Sequence, residues 1–167
     1  LTDFLGIDRW KLMTGPSMGG MRALEWAIMA PGRVGAVAPV GSTGATTADQ
    51  IAWSTAQLAA IRADPKFRGG DYYDAAPGDG PHVGMGIARM VAHTTYRSAG
   101  ELNERFNRSY QGDGDPIGKG GLFSVQSYLE HHARKLARRF DANTYIRLVQ
   151  AIQSHDVGRG RGGAETA

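Results

Sequence analysis

Apolar positions in the first forty-odd residues change their period twice. The run "WKLMT", residues 10–14, is short, apolar and closed by a Gly-Pro turn, which predicts a buried strand. From Gly19 the spacing becomes helical, at Met21, Leu24, Ala27 and Ile28, and Pro31 with Gly32 stops the helix. "VGAVAPVG", residues 34–41, returns to β-branched and apolar residues and predicts a second strand, parallel to the first because a helix crosses over between them. Beyond Gly44 the period stays helical. Ile51, Leu58 and Ile61 stripe a helix from Ala48 to Ala63, with Thr47 or Asp49 placed to cap it. Ile87, Met90, Val91 and Thr94 stripe a second helix, and Val125, Tyr128, Leu129, His132 and Leu136 a third. A fourth carries Tyr145, Leu148, Val149 and Ile152 behind an Asp141 cap. The intervening "DPKFRGGDYYDAAPGDGPH" and "NRSYQGDGDPIGKGG" (residues 107–121) have no period and read as irregular.

This pattern assigns the chain to the α/β class. Residues 1–46 form a strand, corner, helix and strand, and residues 47–167 form a mostly helical insertion suited to a lid over the carboxyl edge of the sheet, leading back to the core.

The corner itself carries the candidate chemistry. Gly15-Pro16-Ser17-Met18-Gly19 satisfies G-x-S-x-G, in which the serine sits on a strained turn and glycines two residues to either side let strand and helix pack without a Cβ clash. Such a turn lifts the hydroxyl above the sheet. The start of the following helix points free N–H groups at the place where a tetrahedral oxyanion forms, with the Met18 N–H as one donor. The plainer reading is a Gly-rich turn with an N-cap serine, and the flanking strand and helix favour the elbow. A phosphate-cradling loop does not fit, because no Lys-Ser or Lys-Thr follows the glycines and the G-x-G-x-x-G spacing is absent.

Composition narrows the chemistry further. The 167 residues and 41% apolar content are those of one globular domain. Without cysteine there is no disulfide, thiolate zinc site or thiol nucleophile, so the nucleophile must be an oxygen or an amine, and a reducing compartment fits. The net charge of +3 is modest, and the Arg134, Lys135, Arg138 and Arg139 cluster reads as a solvated helix face, so no nucleic-acid partner is expected. No run of about 18 apolar residues and no leader pattern is present, and a cytoplasmic protein without a membrane span is expected.

A serine needs a base, and in this architecture the order is serine, acid, histidine. His82 falls in a polar loop, His93 and the adjacent His131 and His132 are helical, and none of these occupies a late loop. Neighbours such as His155 and Asp156 cannot easily form the relay, so a capping or loop-bracing role is expected for them. The chain opens at "LTDFLGIDRW" without methionine and closes at "GRGRGGAETA", and it is expected to be incomplete, with acid and base outside it.

Together "GPSMGGMRALEWA", "HTTYRS", "VQSYLEHHARKLARRFDANTYIRL" and "SHDVGRGRGG" resemble the homoserine O-acetyltransferases, α/β-hydrolase-fold acyltransferases of methionine biosynthesis, and the actinobacterial members in particular. The resemblance runs from the elbow strand to Gly163 and implies a ping-pong reaction, with Ser17 taking acetyl from acetyl-CoA and the hydroxyl of L-homoserine then attacking the acyl-enzyme. It implies Met18 as an oxyanion donor, Arg89 as the partner of the substrate carboxylate and Tyr96 as a hydrogen-bonding residue for the same amino acid. From the residues alone, Arg89 is a surface helix arginine and Tyr96 a half-buried packing residue. No bound cofactor or metal is implied, acetyl-CoA being a co-substrate, and a homodimer through the lid is. Pro16 departs from the glycine more usual there, removing one N–H and leaving the Met18 donor intact. Homoserine O-succinyltransferases, serine O-acyltransferases, a plain esterase, and a truncated dimerising remnant are the alternatives, and the chain alone is expected not to turn over.

Overall fold

Strands β1, Met13–Pro16, and β2, Val37–Val40, run parallel with Met13 opposite Val37 and Pro16 opposite Val40, and helix α1, Met18–Met29, joins them. This is the expected strand, helix, strand order. The structure, a computed structural model, describes residues 1–112, 114 and 120–167. β1 begins later than "WKLMT" suggests, because Trp10 reaches the neighbouring chain only through an isolated parallel bridge to Val34. After α1 the chain turns through a short 3-10 helix, Pro31–Arg33, the proline taking its first position, where its missing N–H costs nothing.

The described residues fall into two compact units, Leu1–Ala48 with Gln150–Ala167, and Asp49–Val149. In the second, α2 (Ala48–Ala63), α3 (His82–Thr95), α5 (Ser124–Ala137) and α6 (Ala142–Gln153) bury Leu58, Ile61, Met85, Ala88, Leu136 and Ile146 in one core. Ile61 and Ala88 are fully buried there. α6 starts as expected: the Asp141 carboxylate accepts the Thr144 N–H at 2.6 Å.

Three local expectations need correction. "DPKFRGGDYYDAAPGDGPH" contains a 3-10 helix, Pro65–Gly70, whose Asp64 cap accepts from the Lys66 N–H at 2.9 Å; Asp64 before proline is a helix-start signal inside what looked like pure loop. A helix α4, Ala99–Phe106, has no stripe long enough to register, yet Ser98 accepts from the Glu101 N–H at 3.1 Å in the S-x-x-E spacing of a capping box. Within residues 107–121, Tyr110–Gln111 forms a short strand β3 antiparallel to β4, Leu122–Phe123; residues 113 and 115–119 of that stretch lie outside the described residues.

α3 exists as expected but buries a different face. Gly84, Met85, Ala88 and Ala92 are buried, while Ile87 is 45% exposed and Thr94 is also exposed. Small residues at four-residue spacing let this helix approach its neighbours closely, and that outweighs side-chain size. Leu136 likewise belongs to the core, whereas Leu148 is 37% exposed. Among the described residues no helix is long and apolar enough to cross a membrane.

Candidate active site

Ser17 occupies the single position between β1 and α1, with φ 51° and ψ −120°. A positive φ with this ψ is a region that a residue with a side chain enters only when its surroundings force it. The surroundings do so here. The Ser17 N–H donates to the Val40 carbonyl at 2.9 Å, extending the strand pairing by one residue, and its carbonyl accepts from Gly20 at 2.9 Å and Met21 at 3.2 Å, starting the helix. The Ser42 hydroxyl donates to the same carbonyl at 2.9 Å. One residue thus serves strand and helix at once. Its side chain makes no capping bond and the residue is exposed, which excludes the N-cap serine reading. The Met18 and Gly19 N–H groups belong to the first helical turn, where no intrahelical acceptor exists, so they are free to meet an oxyanion.

The glycines of the corner are not equivalent. A Cβ on Gly15 would lie 2.7 Å from the Gly19 carbonyl carbon, and one on Gly20 would lie 2.7 Å from the Ser42 Cβ. On Gly19 it would meet nothing nearer than the Pro16 Cδ at 3.5 Å, an ordinary contact. The pentapeptide therefore identifies Gly15 correctly, overstates Gly19, and misses Gly20 and Ser42. The sequence "SMGGM" offers both glycines, and only the packing distinguishes them.

His155 and Asp156 brace the loops of the same unit. A His155 ring nitrogen, Nε2, lies 3.0 Å from the Thr43 carbonyl, and the other, Nδ1, lies 4.0 Å from the Glu25 carboxylate of α1. Asp156 accepts the Gly158 N–H at 2.8 Å. Arg161, from the "GRGRGG" run, meets Glu25 at 2.8 Å, and this pairing holds its guanidinium above its ordinary pKa. The segment after α6 is thereby fastened to the helix that carries the elbow.

Arg89 and Tyr96 both belong to the second unit, on α3 and at its C-cap. With His93 they stand at i, i+7 and i+4, one face of the helix. The Arg89 guanidinium lies 6.0 Å from the centre of the Tyr96 ring, and the His93 and Tyr96 rings are 6.0 Å apart. Arg89 has no carboxylate partner among the described residues, whereas Arg97, just past the C-cap of α3, pairs with Glu101. His93 is buried and stacks on His132 at 4.1 Å. Burial, reinforced by Arg89, His132 and Arg97, pulls its pKa down from 6.5 to about 4, so the ring is neutral at pH 7. Among the described residues the face thus presents the Arg89 guanidinium, without a carboxylate partner, beside the aromatic rings of His93 and Tyr96, a chemistry that can hold one carboxylate.

A family model described as alpha/beta hydrolase fold matches residues 1–154. Among curated proteins the chain is 53% identical over 167 residues to the homoserine O-acetyltransferase of Clavibacter michiganensis subsp. michiganensis, covering 100% of this chain and 43% of that protein. It is 58% identical over 162 residues to the homoserine O-acetyltransferase of Thermobifida fusca, covering 97% and 42% respectively. The chain thus spans less than half the length of the curated relatives it matches. Among solved structures it is similar to homoserine O-acetyltransferase from Bacillus anthracis, with TM-score 0.85 and 23% identity over 98% of this chain and 43% of that one. It is also similar to esterase E22, with TM-score 0.82 and 26% identity over 99% and 45%.

Proposed function

Because the chain belongs to the α/β-hydrolase fold family, we propose that Ser17 is the nucleophile of an acyltransferase moving an acetyl group from acetyl-CoA to the hydroxyl of L-homoserine. The observation that carries this reading is the backbone of Ser17, held at φ 51° between strand and helix, in a chain more than half identical to proteins named for homoserine O-acetylation. The Ser17 oxygen attacks the thioester carbonyl as a histidine base takes its proton, and the Met18 N–H steadies the oxyanion. The C–S bond breaks, the thiol of CoA leaves with that proton, and an acetyl-serine remains. The homoserine hydroxyl then attacks this ester, losing its proton to the same base, and the proton returns to Ser17 as the product departs. Arg89 holds the homoserine carboxylate through its two parallel donors, and Tyr96 hydrogen-bonds the same amino acid.

His155 is engaged with Thr43, so we assign the base, and the acid that orients it, to sequence outside these 167 residues. On the same resemblance we place the protein in methionine biosynthesis in the cytoplasm, acting as a homodimer through its helical unit. The likeness to esterase E22 supports a second reading, in which water discharges the acyl-serine.

The test is a chimera in which this chain replaces the matching segment of the Thermobifida fusca protein. The expected result is acetyl transfer from acetyl-CoA to homoserine, faster than to serine or water and faster than from succinyl-CoA, with Ser17→Ala lowering the rate by at least roughly a thousandfold. A folded chimera that only hydrolyses acetyl esters would support the esterase reading instead.

A further inference from the structure

Gly20 is under a constraint that the G-x-S-x-G pattern does not ask for, and it leads to Ser42. A Cβ on Gly20 would lie 2.7 Å from the Ser42 Cβ and 2.9 Å from its Oγ, so the missing side chain is what lets Ser42 reach the corner. There the Ser42 hydroxyl donates to the Ser17 carbonyl at 2.9 Å. That carbonyl also accepts the Gly20 and Met21 N–H groups, at 2.9 and 3.2 Å, but both of these belong to α1 and move with it. Ser42 comes from the loop after β2, outside the helix.

The loop is itself held in place. The Thr43 carbonyl lies 3.0 Å from the His155 Nε2, and since a carbonyl only accepts, that nitrogen carries the hydrogen. His155 is buried, and the backbone around it makes two further bonds with the loop. The Thr46 N–H donates to the His155 carbonyl and the Val157 N–H to the Gly44 carbonyl, each at 2.9 Å. Arg161 ties the same segment to Glu25 of α1 at 2.8 Å. Ser42 is thus presented from a fixed support.

What its hydroxyl holds is a plane. The Ser17 carbonyl and the Met18 N–H are the two ends of one trans peptide unit, which is rigid, so the direction of one sets the direction of the other. With Ser42 bonded to the oxygen, that unit cannot turn about its flanking single bonds without losing the bond.

We propose that Ser42 is a positioning residue for acyl transfer: through the Ser17 carbonyl it aims the Met18 N–H at the oxyanion. This rests on the reading of Ser17 and Met18 given above, and it goes further by placing part of the oxyanion's support on a side chain outside the elbow.

The test is Ser42→Ala in the chimera already described, a change that removes one oxygen atom and leaves the Ser17 carbonyl its two helical bonds. A misaimed donor weakens the transition state and leaves ground-state binding alone. Both kcat and kcat/KM for acetyl transfer are therefore expected to fall by roughly tenfold to a hundredfold, with KM for acetyl-CoA and for homoserine unchanged. Methylboronic acid, which adds to a serine oxygen to give a tetrahedral anion, is expected to bind more weakly by the same factor. A merely structural bond would lower the thermal midpoint and move neither quantity. An undiminished kcat in Ser42→Ala overturns the proposal, as does a reduced kcat with unchanged boronate affinity. If instead the parent chimera transfers acetyl and Ser17→Ala leaves that rate intact, the reading of the elbow itself fails and this inference falls with it.

Discussion

Ser17 concentrates a structural cost at the atom that does the chemistry. A side chain in its backbone region costs about 1–3 kcal/mol, and only the bonds to Val40, Gly20, Met21 and Ser42 keep it there. Glycine relieves that strain but loses more chain entropy on folding, so Ser17→Gly is expected to stabilise the first unit by about 1 kcal/mol while abolishing acyl transfer. Urea unfolding followed through Trp10 and Trp26 measures this; equal or lower stability would mean the backbone there is not strained. His93 stores energy of another kind. Its folded pKa, about 4, lies below the ordinary 6.5 because of burial first and the charges of Arg89, His132 and Arg97 next. A base held below its ordinary pKa contributes stability that is whole above pH 6.5 and is lost as pH falls toward 4, because the unfolded chain binds the proton more readily. The loss is at most roughly 3 kcal/mol. His93→Asn is expected to flatten the fall in thermal midpoint between those two pH values; an unchanged slope would place the acid sensitivity elsewhere.

At the scale of elements, residues with a strong period were legible and residues placed by packing were not. The strand, helix, strand order and all four striped helices follow from spacing. The buried face of α3 does not, because Gly84, Ala88 and Ala92 give a weaker hydrophobic signal than Ile87 and Met90, yet they are what the neighbouring helices admit. α4 is betrayed only by its capping box, and Pro65–Gly70 only by Asp-Pro. The elbow shows the same division. Its serine and first glycine could be read from five letters, whereas the crowding of Gly20 against Ser42 required the fold. Alanine at Gly15 or Gly20 is therefore expected to cost about 2–4 kcal/mol, since backbone or a fixed side chain must move. Gly19→Ala is expected to be neutral or slightly stabilising through its better helix propensity. Denaturation midpoints of the three variants decide this, and a severe loss for Gly19→Ala would show that the motif constrains the turn in a way its contacts do not reveal.

For the molecule as a whole, the proposed nucleophile, Ser17, belongs to the first unit, and the proposed carboxylate-binding residue, Arg89, belongs to the second. The second unit also has an apolar groove of about 570 Å³ between α3 and α5, lined by Val83, Ile87, Met90, Ala133 and Ala137. Val83 is 71% exposed there, and a patch of this character is where the proposed homodimer would bury surface. Val83→Arg with Ile87→Arg is expected to yield monomers by light scattering without loss of helix content; dimers that persist would move the interface elsewhere. Acid and base could not be found in the chain by sequence, and His155, the one histidine of the elbow's own unit, is occupied in bracing a loop. The proposed reaction requires the Ser17 oxygen to receive the acyl group. Its most direct test is mass spectrometry of the chimera after brief exposure to acetyl-CoA without homoserine. One acetyl group is expected on the peptide containing Ser17, discharged when homoserine is added; an active chimera whose Ser17 is never acetylated would rule out the acyl-serine.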